Sequence, residues 1–203
     1  MNYLKLIRKT LFQVWLIGFA SFAAYYVVML FTGFISFLMS FLFIFMTFGG
    51  FFIAAMILIW KLSEAEGNDL EWAGKFDKRK YLLGISIAIS INLALAILIS
   101  FSPPQSFLQM FHMINYYFIF PNNILLVYFH LPYEISIRIS YIMDSLIIIA
   151  VKYFAACSGS RYAIYVRENT ENESGSSELL NNSSTATPRR QGAWKDSIKQ
   201  YKD

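Results

Sequence analysis

Charged side chains are missing from two long stretches of this 203-residue chain. Residues 10–60 contain no Asp, Glu, Lys, Arg or His, and residues 81–133 contain only His112 and His130 from this group. Charged residues make up 15% of the chain and hydrophobic residues 57%. The helices of a soluble core need polar residues every few positions, so this distribution argues against a water-soluble globular protein.

Other absences exclude several kinds of functional site. The chain has one cysteine, Cys157, which excludes an intrachain disulfide and a cysteine cluster for metal. It also lacks a glycine-rich phosphate loop, a Gly-x-Ser-x-Gly elbow and an HExxH motif. His112, His130 and Glu134 could bind a metal in principle, but their spacing matches no known zinc signature. We therefore predict a protein without enzymatic activity, cofactor or metal.

The two charge-poor stretches predict membrane-spanning helices. A bilayer core of about 30 Å needs about 20 apolar residues per helix, so each stretch is nearly long enough for two spans. Backbone amides without partners are costly in lipid, which forces such segments to be helical. We predict an all-α polytopic membrane protein in which residues 1–160 form the transmembrane domain. Its four predicted spans are residues 11–31, 35–60, 81–101 and 139–157.

The remaining segments are predicted to lie outside the hydrocarbon. Residues 61–80 read as a hydrophilic loop with a short surface helix capped by Asn68 or Asp69. Residues 105–131 read as an outer interfacial helix followed by a re-entrant segment. Ser158, Gly159 and Ser160 are predicted to end the last span, and the polar residues 161–203 to form a flexible, disordered tail.

The distribution of basic residues predicts the orientation. Lysines and arginines collect on the cytoplasmic side of membrane proteins. With four spans, the basic residues near the N-terminus, in the 61–80 loop and after the last span all fall on one side. This predicts a cytoplasmic N-terminus and a cytoplasmic C-terminal tail. A fifth span within residues 107–131 is the alternative, and it would move the tail outside.

Two groups of residues are candidates for packing or binding. A stripe at four-residue spacing in the third span is typical of close helix packing: Gly84, Ala88, Asn92, Ala96 and Ser100. Asp144 is a costly carboxylate within the last span. Depth counting places it level with Asn92, so we expect the two to form a polar pair, with Tyr141 nearby. This pair either binds something or fixes helix packing.

The basic residues near membrane ends predict contacts with lipid headgroups. Lys78, Arg79 and Lys80 stand at the entrance to the third span and serve as a topology signal or bind anionic lipid. Lys152 is near the cytoplasmic end of the last span and is expected to snorkel to the headgroups. The basic residues do not form one patch, so no nucleic-acid partner is expected.

Three functions fit these features. The first is an accessory or assembly subunit of a membrane complex, which would associate with other membrane proteins or with itself. The second is a small transporter or channel component that uses Asp144 and Asn92 in the membrane. The third and weakest is an intramembrane enzyme that acts on lipid.

Overall fold

The computed structural model describes residues 2–32, 41–101 and 129–183. These residues form four helices and no strand, which confirms the all-α prediction for this part of the chain. The helices are α1 (Tyr3–Thr32), α2 (Phe41–Trp72), α3 (Lys78–Ser100) and α4 (Tyr133–Ser183). Residues 33–40, most of the predicted re-entrant segment 105–131, and residues 184–203 lie outside the described residues.

Among the described residues, three helical segments are long and apolar enough to cross a membrane. They are Tyr3–Ala24 in α1, Lys78–Ser100 in α3 and Tyr133–Thr170 in α4. They overlap the first, third and last spans predicted above. The second predicted span begins outside the described residues, and the described part of it lies in α2. This architecture is compatible with an integral membrane protein.

Side-chain contacts define the direction of each helix. α1 and α3 run parallel, because Leu6 lies against Gly84 and Trp15 bonds to Asn92. α2 and α4 also run parallel, because Ser63 meets Lys152 and Glu71 meets Ser160, both 89 residues apart. α1 and α2 are antiparallel. Lys9 of α1 pairs with Glu66 of α2, and one turn later in α1, Gln13 lies level with Ser63, which comes before Glu66, because both accept a hydrogen bond from Lys152. The result is an up-down-up-down four-helix arrangement.

The polar segment after Trp60 is not a loop, which corrects the sequence prediction. α2 continues without interruption to Trp72, and only residues 73–77 form the connection to α3. Gly74 occupies the left-handed region there with φ of 63°, which a side chain would strain. The segment stays helical because its small and polar residues Ser63, Glu66 and Gly67 are buried in the bundle.

The predicted helix stop at residues 158–160 is also wrong. α4 continues through these residues to Ser183, so residues 161–183 of the predicted tail are helical and not disordered. Gly159 and Ser160 are buried rather than exposed at a helix end. A Cβ on Gly159 would overlap the Glu64 carbonyl of α2, so glycine serves close helix packing at this position.

The chain divides into two compact units, Met1–Ala163 and Ile164–Asp203. All four helices contribute to the first unit, and the end of α4 belongs to the second. Two apolar clusters hold the first unit together. One contains Val14, Ala55, Ile89 and Ile148 with their neighbours, and the other contains Leu6, Tyr81, Ile85 and Ala156. Between and beside these clusters lie the buried polar residues described next.

Candidate functional site: the polar interior of the bundle

A line of polar residues follows the buried face of α4. Ser136, Ser140, Asp144, Lys152 and Ser160 recur at multiples of four residues, and all are buried. Ile148 and Ala156 fill the two remaining positions of this series. At about 1.5 Å per residue the line is roughly 36 Å long, comparable to the thickness of a membrane. We call it the α4 polar line.

Sequence reasoning found Asp144 and Lys152 but did not connect them. The signal was present as the same four-residue spacing that identified the stripe in α3. The spacing is interrupted by apolar Ile148 and Ala156, and the sequence predicts that the last span ends at Ser158, Gly159 and Ser160, so Ser160 does not join the series. Serines at this spacing on an apolar helix indicate a buried face as clearly as alanines do.

Asp144 lies in the middle of the α4 polar line and is completely buried, with 0% of its surface exposed. Neither carboxylate oxygen has a hydrogen-bond partner within the part of the chain that the structure describes. Its neighbour one turn earlier, Ser140, donates its hydroxyl to the carbonyl oxygen of Ser136 instead. A carboxylate buried without a hydrogen-bond partner is costly unless a proton, a cation or another ligand neutralises it.

The predicted pairing of Asp144 with Asn92 is not seen. Asn92 is buried, but its side-chain oxygen accepts a hydrogen bond from Nε1 of Trp15 at 2.9 Å. Tyr141 is buried in the apolar cluster that also contains Ile89 and Ala96 of α3. Depth counting placed Asn92 and Asp144 at the same level, but rotation of each helix about its axis decides which residues meet. Here α3 turns Asn92 toward α1.

Lys152 does not snorkel to the headgroups, contrary to the sequence prediction. Only 1% of its side chain is exposed, and its Nζ donates to Oε1 of Gln13 at 2.7 Å and to Oγ of Ser63 at 3.1 Å. Its ammonium also lies 3.8 Å from a carboxylate oxygen of Glu66. Snorkelling requires a path to the lipid surface, and α1 and α2 close that path on the buried side of α4.

Glu66 connects all four helices at this end of the bundle. Its Oε1 pairs with Lys9 of α1 at 3.3 Å, and its Oε2 accepts the Tyr81 hydroxyl of α3 at 3.2 Å and faces Lys152 of α4. The Glu66 side chain is 5% exposed, so two cations and a hydroxyl compensate its burial. The sequence predicts a loop at Glu66 and therefore does not predict this role.

The stripe of α3 faces α1. Gly84, Ala88, Asn92 and Ala96 are buried, and Ser100 is partly buried at the helix end. A Cβ on Gly84 would come within 2.5 Å of a Leu6 methyl, so the absence of a side chain at Gly84 lets α1 approach. At the other end, Arg138 donates to the Ser100 hydroxyl at 3.3 Å and lies 4.0 Å from the centre of the Phe101 ring.

The basic cluster at the start of α3 is exposed, and Asp77 accompanies it. Lys78, Arg79 and Lys80 all lie at the surface. The Asp77 carboxylate caps α3 by accepting the backbone N–H groups of Arg79 and Lys80. These hydrogen bonds, that of Lys80 first, hold the pKa of Asp77 below its usual 3.8.

No group of metal-ligating residues occurs within residues 2–32, 41–101 and 129–183. His112 falls outside these residues. The chain matches no protein-family model, no curated protein and no solved structure. Functional assignment therefore depends on the geometry of the bundle interior.

Proposed function

We propose that this chain is a multi-pass integral membrane protein with four spans, α2 being the second. The charge-free sequence that leads into α2 and its side-chain contacts with α1, α3 and α4 support this assignment. The N-terminus, the α2–α3 connection and the segment after the last span would be cytoplasmic, since the basic residues collect there. The outer side would hold the beginning of α4, including Arg138.

We further propose that the bundle is a non-enzymatic transporter or channel component that binds a proton or a small cation at Asp144. The observation that carries this proposal is a completely buried carboxylate whose two oxygens have no hydrogen-bond partner among the described residues. Ionisable residues inside membrane bundles commonly mark proton and ion pathways. Ser136 and Ser140 connect Asp144 toward the proposed outer side, and Lys152 lies two turns toward the cytoplasmic side.

Ile148 separates the two charged positions of the α4 polar line. It is buried between Asp144 and Lys152 at the same four-residue spacing. Its apolar side chain divides the line into an outer part with an unpartnered carboxylate and an inner part whose charges are paired. A proton or cation that enters from outside would therefore reach Asp144 first.

The test is ion flux through the full chain reconstituted in liposomes. Asp144→Asn keeps the size of the side chain and removes its charge, so it should abolish proton or cation flux. Glu134→Gln is the matched control, because Glu134 is an exposed acid on the same helix. Flux that persists at the normal rate in Asp144→Asn contradicts the proposal. Labelling of Asp144 by a hydrophobic carbodiimide, slowed by the transported cation, supports it independently.

The second candidate is an accessory or assembly subunit that associates with other membrane proteins or with itself. Only 33% of the apolar stretch of α1 is buried, and the fraction is the same for the apolar stretch of α3. Both helices therefore have large surfaces that are open to lipid or to a partner helix. Under this role Asp144→Asn leaves association unchanged. Co-purification of a stoichiometric partner in mild detergent, unaffected by Asp144→Asn and without intrinsic flux, would favour this candidate.

A further inference from the structure

A cavity of about 380 Å³ opens at the end of the bundle that contains Glu66. It lies between the first turns of α1 and the last turns of α2, and we call it the end cavity. Its charged lining residues are Lys5, Lys9, Glu66, Asp69 and Lys75. Leu6 and Leu70 supply apolar walls. The cavity therefore combines charges of both signs with a surface that suits hydrocarbon.

The charges of the end cavity differ in whether they already have partners. Lys9 and Glu66 bind each other, and Glu66 is also bonded to Tyr81 and near Lys152. Lys5, Lys75 and Asp69 are exposed and make no ion pair within the part of the chain that the structure describes. Two free cations and one free anion therefore face a space large enough for a small polar group.

The position of the end cavity corresponds to the headgroup layer. Lys9 is the last charged residue before the charge-free residues 10–60, so the hydrocarbon begins immediately beyond the cavity. Trp72, at the end of α2, is 51% exposed, as is typical of aromatic residues at the membrane interface. A lipid headgroup could enter the cavity while its acyl chains remain along the apolar surface of the bundle.

We propose that the end cavity binds the headgroup of an aminophospholipid, which carries a phosphate and a primary ammonium. The two free lysines, Lys5 and Lys75, would hold the phosphate through charge-assisted hydrogen bonds. The carboxylate of Asp69 would accept the ammonium group. A simple anionic lipid satisfies the lysines but leaves Asp69 facing a negative ligand. This inference requires the membrane insertion proposed above and does not depend on Asp144.

The experiment is lipid retention by the full chain, purified in mild detergent and measured by native mass spectrometry. Four lipids with identical acyl chains are compared, with ethanolamine, serine, choline and glycerol headgroups. Ethanolamine and serine lipids should be retained about tenfold better than choline and glycerol lipids, because only they offer both a phosphate and hydrogen-bonding ammonium protons. Equal retention of all four lipids would overturn the proposal.

Substitutions test separately how the end cavity recognises the phosphate and the ammonium group of the lipid. Lys5→Gln with Lys75→Gln should reduce retention of all four lipids, and Lys61→Gln, which changes an exposed lysine outside the cavity, should not. Asp69→Asn should remove the preference for ethanolamine over glycerol, and Glu134→Gln should preserve it. An unchanged preference in Asp69→Asn would contradict the assignment. These residues are exposed, so the fold should survive, which the melting temperature of each variant verifies.

Two further outcomes separate the sources of failure. Competition by soluble phosphoethanolamine at the same residues, without lipid preference, would mean that the cavity binds a free phosphate ester and would overturn the lipid assignment. Complete absence of bound lipid, with solubility in plain buffer, would contradict membrane insertion itself. Loss of headgroup preference in a chain that still inserts overturns only the proposal for the end cavity.

Discussion

At the scale of single residues, Glu66 and Lys152 are the most constrained charges in the described part of the chain. Each is almost completely buried, and each has partners on other helices. Removal of one member of such a pair leaves an uncompensated charge in the interior, which costs more than the pair itself contributes. The stability of the bundle should therefore respond strongly to either single substitution.

We expect Glu66→Gln to lower the free energy of unfolding by about 3 kcal/mol, because Lys152 and Lys9 lose their counter-charge. Lys152→Met should have a similar effect, and the double variant should be less destabilised than the sum of the two. The measurement is thermal unfolding in detergent, followed by the reaction of buried Cys157 with a thiol dye. Glu64→Gln, which breaks the exposed Lys61–Glu64 pair, should cost less than about 1 kcal/mol. Additive effects of Glu66→Gln and Lys152→Met in the double variant would refute the coupling between these two charges.

Asp77 gives a second prediction at this scale, with a pH dependence. Because the folded protein holds the pKa of Asp77 below 3.8, its cap stabilises α3 fully above that pH and is lost as the pH falls through the lower folded value. Asp77→Ala should therefore lower the melting temperature at neutral pH, and its difference from the natural chain should shrink in strong acid. Asp77→Asn keeps a cap acceptor without a titrating group, so its cap should not weaken in acid. A constant deficit of Asp77→Ala at all pH values would exclude the ionised cap.

At the scale of elements, the parallel contact of α2 with α4 depends on two glycines. A Cβ on Gly67 would overlap backbone atoms of Ala156, and one on Gly159 would overlap the Glu64 carbonyl. Backbone cannot move aside as a flexible side chain can, so the helices must separate to admit a methyl group. Such close approach is the usual purpose of small residues between membrane helices.

We predict that Gly67→Ala destabilises the bundle by about 1 to 3 kcal/mol, the usual cost of overpacking. Gly50→Ala is the matched control, since it lies on the same helix with nothing within 4 Å of the added Cβ. Its effect should be neutral or stabilising by up to about 1 kcal/mol, because alanine favours helix over glycine. Melting temperatures of the two variants in the same detergent decide the matter. Equal destabilisation would mean that the α2–α4 contact is not tight.

Both errors in helix boundaries have the same physical origin. The charged residues within 61–80 suggested a loop, and Ser158, Gly159 and Ser160 suggested a helix stop, because such residues favour water and turns in soluble proteins. In the structure the two segments lie side by side and satisfy each other, as the 2.7 Å bond from Ser160 to Glu71 shows. A sequence shows that these residues are small or polar, but not that a partner segment 89 residues away compensates them.

At the scale of the whole molecule, the charge-poor stretches predicted the helical class and two of the three segments that are long and apolar enough to cross a membrane, those in α1 and α3. The apolar run of residues 139–157 predicted the third, in α4. In α3 the small residues at four-residue spacing are buried, since packing imposes that periodicity directly. The partners of Asn92, Asp144 and Lys152 could not be predicted. They depend on the rotation and order of the helices, which local spacing does not determine.

The proposed topology predicts the accessibility of introduced cysteines in sealed vesicles. Lys5→Cys and Lys75→Cys should react with an impermeant thiol reagent from the same side, and Glu134→Cys from the opposite side. The helix directions require this result if α1, α3 and α4 cross the bilayer. Native Cys157 is buried and should contribute little background. Reaction of all three positions from one side would rule out the proposed crossings.

The charge on Glu66 also affects how the protein is made. A ribosome completes α2, which ends at Trp72, before it reaches Lys152, the residue of α4 that faces the Glu66 carboxylate. During that interval Lys9 is the only cation of the buried cluster already synthesised. A chain that ends before α4 would therefore lack one of the two cations that compensate the buried Glu66 carboxylate.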